Sequence, residues 1–184
     1  MFGADLKAPK IGEAAPAFKL KNYDGKEYSL KDLLAKNKLV VAMFISTQCP
    51  VSNGYNDRME KLYENYSAKG VAIVGINANV AETVSDIADH AKTHGFKFPV
   101  LKDVKNVIAD AYAAEHTPEI YVIDAKGNLA YHGRIDDSRD ASNVKSNDLA
   151  DALDALLIGK APAHAETKAV GCSIKRAEPV TGSN

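Results

Sequence analysis

Leu39-Val40-Val41-Ala42-Met43-Phe44-Ile45-Ser46-Thr47-Gln48-Cys49-Pro50 is the stretch whose reading decides the fold of this chain. Its first seven residues form an unbroken apolar run rich in Val and Ile, the pattern of a central parallel strand buried on both faces. After Pro50 the period changes. Val51, Tyr55, Met59, Leu62 and Tyr66 recur at spacings of three and four, which is one face of a long helix ending near Lys69-Gly70. Pro50 suits the first turn, where its missing N–H would have had no partner. Cys49 therefore lies where a buried strand hands over to a helix, beside free backbone N–H groups and the positive end of the helix dipole. Both favour thiolate over thiol. A lone cysteine is more often a small buried core residue. Its place at a helix start next to Pro points instead to a reactive thiol.

Length and composition bound what such a thiol can serve. At 184 residues the chain is the size of one domain with tails, large enough for a real core. A net charge of −1 gives no electrostatic reason to expect nucleic acid or an anionic membrane as partner. No apolar run approaches the roughly 20 residues of a membrane helix. Met1 to Gly12 shows neither a basic segment nor an apolar core of a signal peptide, so a cytoplasmic location is expected. A trimmed leader would instead place the protein in a periplasm or outside the cell. Two cysteines are too few for a disulfide scaffold and enough for one redox pair.

Outward from the central strand, Tyr23-Asp24-Gly25-Lys26 marks a turn between two short extended pieces, and Ser29 with Asp32 caps a short helix. Val71-Ala72-Ile73-Val74-Gly75-Ile76 is a second buried strand, and Thr83 to His94 a helix stopped by Gly95. Phe98-Pro99-Val100-Leu101 is expected at an edge or in a loop, since Pro cannot donate to a ladder. Val107 to Ala114 is helical, Asp124-Ala125-Lys126-Gly127-Asn128 turns a hairpin, and Asp148 to Ile158 is an amphipathic helix. The order implies an α/β sandwich with a mixed central sheet. Sites in such sheets form at the carboxyl ends of the parallel strands, where Cys49 lies.

Other groupings carry less. His90 and His94 have metal-compatible spacing without a third ligand, and read as a solvated helix face. Arg134 before Asp136-Asp137 reads first as a surface ion pair, with a role near the thiol as the alternative. Tyr55, Tyr63 and Tyr66 read as helix packing.

Gly12-x-x-Ala15-Pro16-x-Phe18-x-Leu20, Asp24-Gly25-Lys26 and Ser46-x-x-Cys49-Pro50 resemble the peroxiredoxin branch of the thioredoxin fold. Thr117-Pro118, Gly127-Asn128-Leu129, Tyr131-x-Gly133-Arg134-Ile135-Asp136-Asp137 and Gly171-Cys172-Ser173-Ile174-Lys175 narrow the resemblance. They point to the peroxiredoxin-like subgroup of the alkyl hydroperoxide reductase and thiol-specific antioxidant family. The resemblance implies a thioredoxin-like α/β fold with an N-terminal β-hairpin and an extended C-terminal tail. It also implies a cis Pro118 opposite Cys49, and attack by Cys49 on a peroxide or a disulfide. Ala42 and Ser46 stand where typical peroxiredoxins carry Pro and Thr, and many subgroup relatives carry Cys at the position of Ser46. Without that local dithiol, an intramolecular disulfide has to recruit Cys172.

The expected organisation is a tail over residues 1–10, a thioredoxin-like domain over 11–158, and a tail over 159–184 carrying Cys172. The expected activity is a thiol peroxidase: Cys49 reduces a hydroperoxide, Cys172 resolves the sulfenic acid, and a thioredoxin-like reductant reopens the disulfide. Ser46, Thr47, Pro50, Thr117, Pro118 and Arg134 are the supporting candidates, with no metal or organic cofactor. The alternatives are a thiol–disulfide oxidoreductase acting on protein disulfides, and a non-catalytic redox-sensing or partner-binding module. A homodimer is left open. Reach does not limit the pairing: at up to ~3.3 Å per residue, the stretch from Gly159 to Cys172 spans on the order of 40 Å, against a domain radius of ~16 Å. Pairing of Cys172 between molecules is the competing arrangement.

The position of Cys49 makes a first prediction. In a Cys172→Ser variant its rate of alkylation should rise with pH at a midpoint below that of a free cysteine, about 8.5. A midpoint at or above that value would end the activated-thiol argument.

Overall fold

The structure is a computed structural model and describes residues 7–177. Most of the tail expected at residues 1–10, and the polar end after Ala177, lie outside the described residues. The chain builds a seven-stranded mixed sheet in the order β2-β1-β5-β4-β3-β7-β8. Its strands are β1 (Lys19–Asn22), β2 (Glu27–Ser29), β3 (Leu39–Phe44), β4 (Val71–Asn77), β5 (Val100–Lys102), β7 (Glu119–Ile123) and β8 (Leu129–Gly133). A separate ribbon joins β6 (His116–Thr117) to β9 (Cys172–Ser173). Strands β3, β4 and β5 run parallel, whereas β7 lies antiparallel to β3.

Period two explains why the β3 sequence is apolar throughout. Leu39, Val41, Met43 and Ile45 point to one face, where they meet Tyr55, Met59, Leu62, Ile87, Leu149 and Leu153. Those partners sit on α3 (Asn56–Tyr66), α4 (Val84–Thr93) and α6 (Asp148–Leu157), with Tyr55 just ahead of α3. Val40, Ala42 and Phe44 point to the other face, against Leu30 of α1 (Leu30–Lys36) and Ile108 and Tyr112 of α5 (Val107–Tyr112). With helices on both faces, neither side of the strand has room for a polar residue.

Three elements differ from the sequence reading. The long helix after Cys49 is two pieces, α2 (Pro50–Asn53) and α3, although Val51, Tyr55, Met59, Leu62 and Tyr66 keep their common apolar side. The break coincides with one turn of backbone and one contact made across the fold. The Tyr55 N–H turns back to Ser52 O, and the Arg58 guanidinium takes the carbonyl of Gly54 while also pairing with Asp136 at 2.7 Å. Second, β5 is internal to the sheet. Pro99 precedes the strand and contributes its carbonyl to the Gly75 N–H, while the Val100 N–H finds the Asn22 side chain. Third, His90 is half-buried. Its Nε2 contacts Asn53 Oδ1 at 2.8 Å, its ring packs on His94 and Phe96, and burial, then His94, pushes its pKa down. Elsewhere the β1–β2 and β7–β8 hairpins, the Ser29 cap and the Thr83 start of α4 fall where the sequence put them.

The packing predicts a contrast. Leu153 on α6 is fully buried, so Leu153→Ala should cost about 2–5 kcal/mol in chemical denaturation. Val107, 61% exposed, should tolerate Ala within about 0.5 kcal/mol.

Candidate active site

Cys49 caps α2, and its sulfur is 3.3 Å from the Ser52 N–H, the unsatisfied donor of the first turn. The same sulfur lies 3.4 Å from Thr117 O and is bonded to Cys172, with the two Cα atoms 6.0 Å apart. Cys49 is only 5% exposed, and Cys172 is the more exposed residue of the two. The Thr117–Pro118 bond is cis, so the chain turns sharply between β6 and β7 just opposite Cys49.

The tail reaches this point along a defined path. His132 N–H donates to Ala165 O and Thr167 N–H to His132 O, which lays the tail beside β8. Cys172 then pairs with Thr117, and Ser173 with His116, in the β6–β9 ribbon. Gly171 allows that approach, because a Cβ there would run into the Thr117 carbonyl. Ile174 is buried in the core face of α5, with its N–H on Glu115 O. The Lys175 N–H donates to Asn79 Oδ1 and its carbonyl accepts from Val80 N–H. The tail is thus docked by backbone pairing and one aliphatic anchor.

Two buried carboxylates hold the two sides of the site. Glu82, 2% exposed, accepts from Ser46 Oγ (2.5 Å), the Thr47 N–H (2.7 Å), the Gln48 N–H (3.3 Å), Asn77 Nδ2 (2.5 Å) and Asn79 Nδ2 (2.8 Å). Burial acts to raise its pKa, and these hydrogen bonds, from Ser46 first, outweigh burial and hold the carboxyl below the ordinary range. Glu119, 4% exposed, accepts from the N–H groups of Glu115 and His116 (2.7 and 2.8 Å) and contacts His132 Nε2 at 2.7 Å. Here too burial raises and the hydrogen bonds, His132 foremost, bring the pKa down. Glu82 thus organises the Cys49 turn, and Glu119 the β6 edge to which Cys172 pairs.

The other sequence candidates are placed as follows. Ser46 Oγ accepts from the Gln48 and Cys49 N–H groups (3.1 and 3.0 Å) and gives its one proton to Glu82. A hydroxyl has no second proton for a thiolate or a substrate oxygen. Thr47 is held at both ends, its N–H by Glu82 and its carbonyl by Asn53 Nδ2 at 2.9 Å. Pro50 opens α2. Thr117 Oγ1 is buried without a partner. Arg134 pairs with Asp148 at 2.7 Å, not with Asp136 or Asp137, because Asp136 is taken by Arg58. Its side chain borders a cavity of about 340 Å³ behind Pro118, lined also by Val51, Tyr55 and Val170. A second opening of about 230 Å³ is lined by both cysteines, Gln48, Asn79, Glu82 and Lys175. Glu82, Asn79 and Glu119 went unread in the sequence. The signal for the first two was Asn77-x-Asn79-x-x-Glu82, polar residues closing a buried parallel strand at its carboxyl end.

A buried cysteine at a strand-to-helix turn, bonded to a second cysteine and facing a cis proline, defines a thioredoxin-like thiol oxidoreductase. The chain belongs to the AhpC/TSA family, whose profile matches residues 11–132. It is 34% identical over 128 residues to the thiol-disulfide oxidoreductase ResA of Bacillus thuringiensis, covering 70% of this chain and 72% of that one. A hypothetical protein of Sinorhizobium meliloti superposes with a TM-score of 0.87 at 31% identity, over 94% of this chain and 98% of that chain. The thioredoxin domain of a thiol-disulfide oxidoreductase from Bacteroides vulgatus shares the fold, with a TM-score of 0.60 at 21% identity, over 68% and 89% of the two chains.

The ionised Glu82 makes a prediction for pH. A carboxyl whose pKa is lowered on folding stabilises the folded state above its unfolded value, near 4.5, and loses that contribution as pH falls through the folded value. Glu82→Gln should therefore cost about 1–3 kcal/mol at pH 7, with the gap to the parent closing below pH 4 in urea unfolding of the oxidised proteins. A gap independent of pH would mean that Glu82 is not ionised in the folded protein.

Proposed function

We propose that the protein is a thiol–disulfide oxidoreductase acting on disulfides of protein partners. The observation that carries this reading is the Cys49–Cys172 disulfide itself. Cys172 lies on an extended segment paired to β6, the arrangement a partner cysteine would adopt in a mixed disulfide with Cys49. The ResA relatives, thiol-disulfide oxidoreductases by name, support the same chemistry.

In the reduced protein the Cys49 thiolate attacks one sulfur of the partner disulfide, forming a mixed disulfide and expelling the partner's other sulfur as a thiolate. The Cys172 thiolate then attacks the Cys49 sulfur. The Cys49–Cys172 bond forms, the second partner thiolate leaves, and both partner sulfurs take up protons. The partner disulfide has gained two electrons and the protein dithiol has lost them. A thioredoxin-like dithiol reverses the oxidation. Its attack falls on Cys172, the more exposed residue, and releases Cys49 as the better leaving group at the helix start.

The sequence favoured a hydroperoxide as the oxidant, and membership of the AhpC/TSA family keeps that reading in view. A sulfenic acid on Cys49 would end in the same disulfide. The Ser46 hydroxyl, committed to Glu82, is not free to donate to a peroxide oxygen, which favours the disulfide reading.

Insulin reduction and hydrogen peroxide consumption, each with thioredoxin as reductant, separate the two. Insulin should be reduced well above the background of the reductant, and Cys49→Ser should abolish the activity. Cys172→Ser should stall as a mixed disulfide on Cys49, visible by mass spectrometry. Turnover of peroxide without insulin reduction would replace the proposal with the peroxidase.

A further inference from the structure

Glu82 touches more than the Cys49 turn. All five of its contacts are donors: one hydroxyl, two backbone N–H groups and two side-chain amides. A carboxylate only accepts, so it dictates which way each amide faces. Asn79 must turn Nδ2 inward to Glu82, which leaves Oδ1 facing outward. That outward oxygen accepts the Lys175 N–H at 2.7 Å, three residues beyond Cys172. The next residue, Val80, donates its N–H to the Lys175 carbonyl at 2.8 Å. Asn77 is oriented in the same way: Nδ2 to Glu82, Oδ1 to Lys102 Nζ at 3.2 Å. Lys102 Nζ in turn donates to the carbonyls of Asn79 and Glu82 at 2.6 and 2.7 Å, fixing the loop from below. One side chain therefore holds the turn that carries Cys49 and, through Asn79, the docking point of the segment that carries Cys172.

We propose that Glu82 is a positioning residue that couples the Cys49 turn to docking of the Cys172 tail, and in this way sets the redox potential of the pair. The proposal rests on the reading above that the pair cycles. When the disulfide is reduced, what returns Cys172 to Cys49 is the docked tail, which holds its sulfur at a high effective concentration. A glutamine at position 82 presents two donors to a ring of donors. Asn79 then has reason to flip and to turn its NH₂ toward the Lys175 N–H, which repels the tail. The tail docks less well, the effective concentration falls, and the disulfide becomes easier to reduce. Loss of the negative charge acts in the same direction, because it stabilises the Cys49 thiolate of the reduced form.

The test is redox equilibration of the full chain with dithiothreitol buffers, in which one dithiol is oxidised as the protein disulfide gains two electrons and two protons. Wild type, Glu82→Gln, Asn79→Ala and Asp86→Asn are compared by thiol trapping. Glu82→Gln should lower the equilibrium constant for disulfide formation roughly tenfold, a shift of about 30 mV to more oxidising potential. Asn79→Ala, which keeps the carboxylate and removes the link to the tail together with one of the five donors to Glu82, should shift it in the same direction, and serves alone if Glu82→Gln does not fold. Asp86→Asn weakens the cap of α4 and should lower stability without moving the potential. Unchanged potentials in Glu82→Gln and Asn79→Ala would overturn the proposal and leave Glu82 a purely structural group. An equal shift in Asp86→Asn would overturn it too, by assigning the effect to general loosening. A wild-type disulfide that does not exchange with the dithiol at all would instead overturn the functional reading, and this one with it.

Discussion

A carboxylate taken out of water must be given hydrogen bonds or it will not stay ionised, and this constraint shapes the site. Glu82 meets it by collecting donors from the end of β3, the end of β4 and the loop between β4 and α4. Ser46 at the first is 36 residues from Glu82 in sequence, whereas the other two are its near neighbours, and all meet at the same rim of the sheet. The Cys49 turn is therefore held by a charge as well as by packing. Ser46 Oγ satisfies the Cys49 N–H at the entry to α2 and shares the Gln48 N–H with Glu82. Removing the carboxylate would leave several donors without a partner at once, a larger loss than any one of these bonds.

The opposite wall repeats the solution. Glu119 gathers the N–H groups of Glu115 and His116 together with His132, so the short β6 strand is presented as a firm edge. On that edge the tail adds β9, with Gly171 giving backbone access and Ile174 giving apolar burial. A two-residue strand has few bonds of its own. Its partners at Asn79, Val80 and Asp110 extend the hold along the tail, the last through Arg176 at 2.8 Å.

This arrangement suits a bond that is made and broken. The disulfide joins cysteines 123 positions apart, which in the chain-entropy model stabilises the fold by roughly 5 kcal/mol. The tail also makes non-covalent contacts of its own, and in the proposed cycle these would guide Cys172 back after each reduction. Cys49 is the more buried of the two cysteines and Cys172 the more exposed, the order that the proposed exchange calls for.

The central strands, most of the helices and the place of Cys49 at a helix start were legible in the sequence because they rest on local signals. The apolar run Leu39–Ile45, the Pro50 helix start, the Thr83 cap and the Asp124 turn each act over a few residues. The family motifs added the cis proline and the second cysteine. The break at Gly54 was hidden, because it depends on Arg58 meeting Asp136 across the fold. The internal place of β5 was hidden for a similar reason, since its neighbour β1 comes from the other end of the chain. The partner of Arg134 and the role of Glu82 were likewise beyond a one-dimensional reading. Hydrophobic period, caps and turns are properties of neighbours in sequence, and the sequence by itself determined them. Which donors surround a buried carboxylate, and which edge a tail joins, are properties of neighbours in space, and only the tertiary structure decided those.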